Sequence, residues 1–127
     1  MDTLYGKQIT IYGDGHLKSE YIFVEDVVNA FYLTINSKEN FGIEIIHVGS
    51  GKNLSVIDII EGLEIAWNRK LEKNFVKMRP GEHKLEIALN PEPMKRLINY
   101  ELKYDLVEGL KKTIPYYEKQ FEIQKKI

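Results

Sequence analysis

The chain has 127 residues, enough for one domain with a core of modest size. Eighteen basic residues against nineteen acidic ones give a net charge of −1, so no basic footprint points to nucleic acid. The absence of cysteine excludes disulfides, thiolate zinc sites and a thiol nucleophile, and it fits a reducing compartment.

Residues 1–8 (MDTLYGKQ) hold no apolar signal core, and no apolar run approaches the roughly 18 residues of a membrane span. A soluble, cytoplasmic protein is expected. In chain order, 8–12 (QITIY) is rich in β-branched and aromatic residues and stops at Gly13-Asp14-Gly15, a strand and then a turn. Residues 21–23 fit a very short extended segment. Apolar residues at 24, 27, 28, 31, 32 and 35 have the spacing of one helical face, and that helix ends near Ser37. The nearly continuous apolar run 43–48 (IEIIHV) predicts a strand buried on both faces, as in a parallel sheet, closing at Gly49-Ser50-Gly51.

Ser55 and Asp58 form a capping-box pattern, and apolar positions 56, 59, 60, 63 and 67 carry a helix to about Asn68. Residues 74–78 predict a short strand, ended by Arg79-Pro80-Gly81. Asn90-Pro91 has the cap-then-proline order of a helix start, giving a short helix over 92–98. Asp105 and Glu108 make a second capping box. Leu106, Leu110, Ile114, Tyr117 and Phe121 form the stripe of a last helix. Pro115 inside that stripe lacks the N–H that would bond the Lys111 carbonyl, which predicts a kink. Residues 119–127 read as a frayed tail. The order of elements is α/β, and one strand needs parallel neighbours.

Metal chemistry finds little support, because His16, His47 and His83 lie far apart without ligand spacing. They read as surface or hydrogen-bonded histidines. Gly49-Ser50-Gly51 follows a predicted strand and precedes a helix, as a phosphate-binding turn does. Neither it nor Gly13-Asp14-Gly15 completes a dinucleotide or phosphate-loop pattern, and a connecting turn is the better reading. None of the eight tyrosines has a lysine four residues later, the pairing that lets an ammonium lower a phenol's pKa. Glu25 and Asp26 sit at a helix start, where acidic residues complement the dipole. Arg79, in an Arg-Pro-Gly-Glu turn after a strand, presents a guanidinium able to hold phosphate oxygens bidentately. The pattern equally admits an exposed arginine on a turn.

Taken in order, IYGDG, YIFVEDVVNAF, IIHVGSGKNLSVIDIIEGL, RPGE, MKRLINY and DLVEGLKKTIPYYEK resemble the C-terminal portion of the NAD-dependent nucleotide-sugar epimerase/dehydratase family, which are extended short-chain dehydrogenases. The resemblance covers about residues 8–118. It implies that Tyr12 takes a base-contacting position, that Arg79 contacts the sugar-nucleotide diphosphate, and that Glu82 lies near the ribose. A second diphosphate arginine and a following aspartate in relatives correspond to Ser19 and Glu20. Ser19 brings a hydroxyl without charge, Glu20 adds repulsion close by, and Lys18 can substitute as a point charge without the planar fork. His47 stands where relatives have asparagine, and Asn90 where they have aspartate.

The resemblance also implies that the glycine-rich NAD loop and the Tyr-x-x-x-Lys catalytic pair belong to an N-terminal Rossmann half. Neither motif occurs in these 127 residues. The expected role is therefore a single unit, 1–127, that binds a nucleotide-diphosphate sugar through Tyr12, Lys18, Ser19, Arg79 and Glu82. It would carry no catalytic pair, no NAD of its own and no activity alone. A non-catalytic assembly module that no longer binds nucleotide sugars is the alternative. In relatives the helix from Val24 and the run 43–48 pack on the Rossmann sheet. Their apolar faces predict here a homo-oligomer or a separate chain carrying that half.

Overall fold

The computed structural model of the chain describes residues 6–82, 86 and 88–124. Its elements are β1 (Ile9–Tyr12), β2 (Lys18–Ser19), α1 (Val24–Asn36), β3 (Leu54–Ser55), α2 (Val56–Trp67), β4 (Lys73–Val76), α3 (Glu92–Ile98) and α4 (Leu106–Gln124). This is a small mixed α/β arrangement, and its four helices fall where apolar spacing and caps put them. At the start of α2 the Asp58 N–H donates to Ser55 Oγ at 3.1 Å while the Ser55 N–H donates to Asp58 Oδ2 at 2.7 Å. The same reciprocal pair opens α4, with Glu108 N–H to Asp105 Oδ1 at 2.8 Å and Asp105 N–H to Glu108 Oε2 at 3.0 Å. Ahead of α3, Asn90 Oδ1 accepts from the Glu92 N–H at 3.1 Å. The two capping boxes are worth about 1 kcal/mol each because they satisfy amides that the helix leaves unpaired. Helix α4 runs through Pro115 to Gln124, into the segment 119–127 that the sequence marks as frayed.

The strands are short. β1 and β4 pair in parallel, Ile9 opposite Lys73 through Tyr12 opposite Val76. β2 and β3 form an antiparallel ladder of two residue pairs, Lys18 with Ser55 and Ser19 with Leu54. The expected strand at 43–48 does not form, since among the described residues no ladder runs along it. The segment at 21–23 joins no ladder either, and it ends at Phe23 with extended backbone, φ −76° and ψ 141°. Residues 43–48 bury one side only. Ile46 and Val48 pack against the core cluster, while Ile43 is fully exposed and Ile45 is three-quarters exposed. An apolar run reports the surroundings a segment suits, but a strand also needs a neighbour for its own N–H and C=O groups.

The core lies between α1 and α3, built on Ala30, Met94, Ile98 and Tyr100. Helix α2 packs on α4, and it does so through Gly62: a Cβ there would stand 2.6 Å from Leu106 Cδ2. Helix α1 presents an unexpected side to this core. Its buried residues are Asp26 and Ala30, whereas Val24, Val28, Phe31, Tyr32 and Ile35, most of the apolar stripe, are all exposed. No helix among the described residues is long and apolar enough to cross a membrane.

Asp26 is fully buried, and it is fully occupied. It accepts from the Tyr100 hydroxyl at 2.6 Å, the Lys103 N–H at 2.9 Å and the Tyr104 N–H at 3.3 Å, so it ties α1 to the connection between α3 and α4. Burial first, and this hydrogen bond second, push the Tyr100 phenol up to about 12. Its neighbour Glu25 faces outward and pairs with Lys112 of α4 at 2.8 Å. The dipole role expected of the Glu25–Asp26 pair is thus secondary to two long-range ties.

Glu64, near the end of α2, binds the next turn of chain. It accepts from Lys73 Nζ at 2.8 Å, the Leu71 N–H at 2.9 Å and Lys70 Nζ at 3.1 Å. Lys73, the Leu71 amide and Lys70, in that order, hold its carboxyl at about 2 instead of 4.5. Because the folded value is the lower one, this stabilisation is complete above the unfolded value and is lost as pH falls from 4.5 toward 2.

Two outcomes follow. Urea unfolding of Asp26→Ala should show a loss of about 3 kcal/mol, since a phenol and two amides lose a charged acceptor. In the second, the midpoint of the wild type falls between about pH 5 and pH 3, and Glu64→Gln reduces that slope.

Candidate functional site

β1 ends at Tyr12, and the Gly13 N–H extends the pairing by donating to the Val76 carbonyl at 2.8 Å. The chain leaving β4 therefore passes alongside the chain leaving β1. Three residues beyond Val76, the Arg79 guanidinium lies over the Tyr12 ring, 3.8 Å from its centroid. The turn is closed by the Glu82 N–H donating to the Arg79 carbonyl at 3.3 Å. Arg79 Nη1 stands 3.8 Å from Glu82 Oε1, while Glu82 Oε2 is buried without a hydrogen-bond partner. Three of the five residues expected to bind nucleotide sugar are thus one cluster: an aromatic face, a planar cation and a carboxylate with one unpartnered, buried oxygen.

Lys18 and Ser19 stand elsewhere. They form β2, on the other ladder, and both are exposed. Lys18 Nζ lies 3.4 Å from Glu86 Oε1. Both candidate cations therefore sit beside a carboxylate of the segment after β4, Arg79 by Glu82 and Lys18 by Glu86. All four side chains are a third or more exposed, and exposed pairs of this kind contribute less than about 1 kcal/mol.

Glu20, expected to add repulsion, turns its carboxylate to donors of the chain itself. Its Oε1 accepts from the Ser50 N–H, from Ser50 Oγ at 2.9 Å and from the Gly51 N–H at 2.9 Å. Its Oε2 accepts from the Leu89 N–H at 2.7 Å. Burial raises its carboxyl, but these four donors outweigh that and leave it below the usual carboxylate value. Gly49 is required for the fit, because a Cβ there would meet Glu20 Oε1 at 2.7 Å and Leu89 Cβ at 2.8 Å. The amides of the Gly49-Ser50-Gly51 turn are already filled by an anion of the chain itself. That turn cannot cradle a pyrophosphate, and Gly13-Asp14-Gly15 leads to β2 instead of a helix. Neither of these turns fits the pyrophosphate of NAD.

A cavity of about 620 Å³ opens between that turn, α3 and the start of α4, with Ser50, Lys52, Met94 and Tyr104 among its walls. It contains none of the five expected residues, and two of its charged walls, Lys95 and Glu101, pair with each other at 3.0 Å. His16 and His47 are exposed, His83 lies outside the described residues, and among those described no group of three possible ligands can hold a metal.

No family model matches the sequence. A UDP-glucuronate 4-epimerase of Thermodesulfobacterium geofontis is 32% identical over 122 residues, which is 95% of this chain and 36% of that protein. The chain spans about a third of the length of the curated relatives it matches. Among solved structures, a UDP-glucose 4-epimerase of Thermotoga maritima with UDP-glucose superposes with a TM-score of 0.81. It is 28% identical, over 94% of this chain and 38% of that one. A dTDP-glucose 4,6-dehydratase of Bacillus anthracis in complex with NAD gives 0.79 at 26% identity, over 95% and 37%.

Proposed function

This chain belongs to the NAD-dependent nucleotide-sugar epimerase/dehydratase family, whose members it matches in their C-terminal part, and on that premise we propose that it is the part that holds the nucleotide sugar. The observation that carries the reading is the stack of Arg79 on Tyr12 at the shared end of the parallel pair, with Glu82 beside it. A guanidinium there offers a diphosphate charge-assisted, bidentate hydrogen bonds of about 1.5–3 kcal/mol each, more than the exposed carboxylate contact it gives up. Tyr12 offers its free face or edge to a base, and the Glu82 carboxylate, a third exposed beside Arg79, suits a ribose hydroxyl. Lys18 and Ser19 add a point charge and a hydroxyl. NAD and the proton-transferring tyrosine and lysine belong, on this reading, to a dinucleotide-binding part outside these 127 residues, and the hydride chemistry with them.

A second reading, a module that has lost nucleotide binding, is favoured by two observations. Ser19 replaces a diphosphate arginine, and both remaining cations already face carboxylates. Calorimetry with UDP-, dTDP-, GDP- and CDP-sugars separates the two. Saturable binding to one of them, weakened about tenfold or more by Arg79→Ala, is the expected result. Absence of binding to every member supports the second reading instead.

The outward stripe of α1 concerns partners. Val24, Val28, Phe31 and Ile35, with Ile43 and Ile45 after the helix, make an apolar surface too extensive for a solvated face. On this reading the surface is covered by a second copy of the chain or by the dinucleotide-binding part. Light scattering should show an oligomer that Phe31→Ser or Ile35→Ser weakens. A folded monomer at high concentration would contradict self-association.

A further inference from the structure

Resting on that reading of the site, we propose that Glu20 is a positioning residue, a built-in anion whose carboxylate locks Lys18 and Ser19 in place for the diphosphate. The β2–β3 ladder on which Lys18 and Ser19 lie has only two residue pairs, too few to hold a strand by itself. Glu20 follows immediately and extends the attachment by side chain instead of backbone. Its first oxygen takes the Ser50 and Gly51 amides and the Ser50 hydroxyl, and its second takes the Leu89 amide. Three segments thus meet on one carboxylate: β2, the turn leading to β3, and the approach to α3.

The receiving surface is a built one. Successive amides at a glycine turn form an anion-binding concavity, Gly51 has φ +73°, and Gly49 leaves the space the carboxylate fills. The turn has the donors of a phosphate loop, and the chain spends them on fixing its own site. Charge is essential to this arrangement, because four donors converge on two oxygens and an amide would turn its NH₂ toward one of those donors.

The test uses the whole 127-residue chain with Glu20→Ala, Glu20→Gln and Glu20→Asp, and has two independent readouts. The first is thermal unfolding in sodium acetate against sodium chloride at equal ionic strength. Acetate should raise the midpoint of Glu20→Ala and leave the wild type unmoved, since a free carboxylate refills the concavity. No acetate effect overturns the built-in anion. The second is the ratio of UDP to uridine affinity by calorimetry, which a general loss of stability does not move. It should fall about tenfold in Glu20→Gln, with uridine affinity retained, and recover in Glu20→Asp. A wild-type ratio in Glu20→Gln overturns the positioning role. If the wild type binds neither UDP nor uridine, the nucleotide-sugar reading fails and takes the positioning role with it, while the acetate experiment still decides the clamp.

Discussion

The parallel pairing of β1 with β4 is the constraint on which the candidate site depends. Four residue pairs join segments 64 positions apart, and α1 and α2 lie in the connection between them. Parallel strands cannot be joined by a tight turn, so the crossover is obligatory. Because the strands run the same way, both chains leave the pair at one end. That common exit places the Gly13-Asp14-Gly15 turn beside the Arg79-Pro80-Gly81 turn and lets Arg79 lie on Tyr12. An antiparallel pairing would carry the two turns to opposite ends.

With two such short ladders, much of the order comes from carboxylates that accept backbone amides. Asp26 joins α1 to the chain beyond α3, Glu20 joins β2 to two distant loops, and Glu64 joins α2 to the approach to β4. Each replaces hydrogen bonds that a larger sheet would make. A buried or half-buried carboxylate is stabilising only when its lone pairs are filled, and in all three cases several donors fill them. The same economy leaves the apolar stripe of α1 outward, because Asp26 and Ala30 occupy the side that faces the core.

The helices were legible in the sequence, since apolar spacing, Ser55 with Asp58 and Asp105 with Glu108 are local signals within one or two turns. The strands were less so. Residues 43–48 carry a strand's composition without a strand's partner, and the two-residue ladders β2 and β3 are too short for any period. Among the site residues, Tyr12, Arg79 and Glu82 came from family motifs and the fold does bring them together. Glu20 and Asp26 were read as charges, one repulsive and one dipole-complementing. Their donors lie 30 to 78 positions away, beyond any local pattern. A hint existed at Asp26, four residues before Ala30, where a small residue and a carboxylate share one helical face.

These relations make one claim central: nucleotide binds at the common exit of β1 and β4 and not in the cavity beside α3. Backbone amide chemical shifts recorded while UDP is titrated into the isotopically labelled chain test it directly. The account predicts saturable shifts at Tyr12, Gly13, Arg79 and Glu82, extending to Lys18 and Ser19. Shifts confined to Lys52, Met94 and Tyr104, or none at saturating UDP, would contradict it.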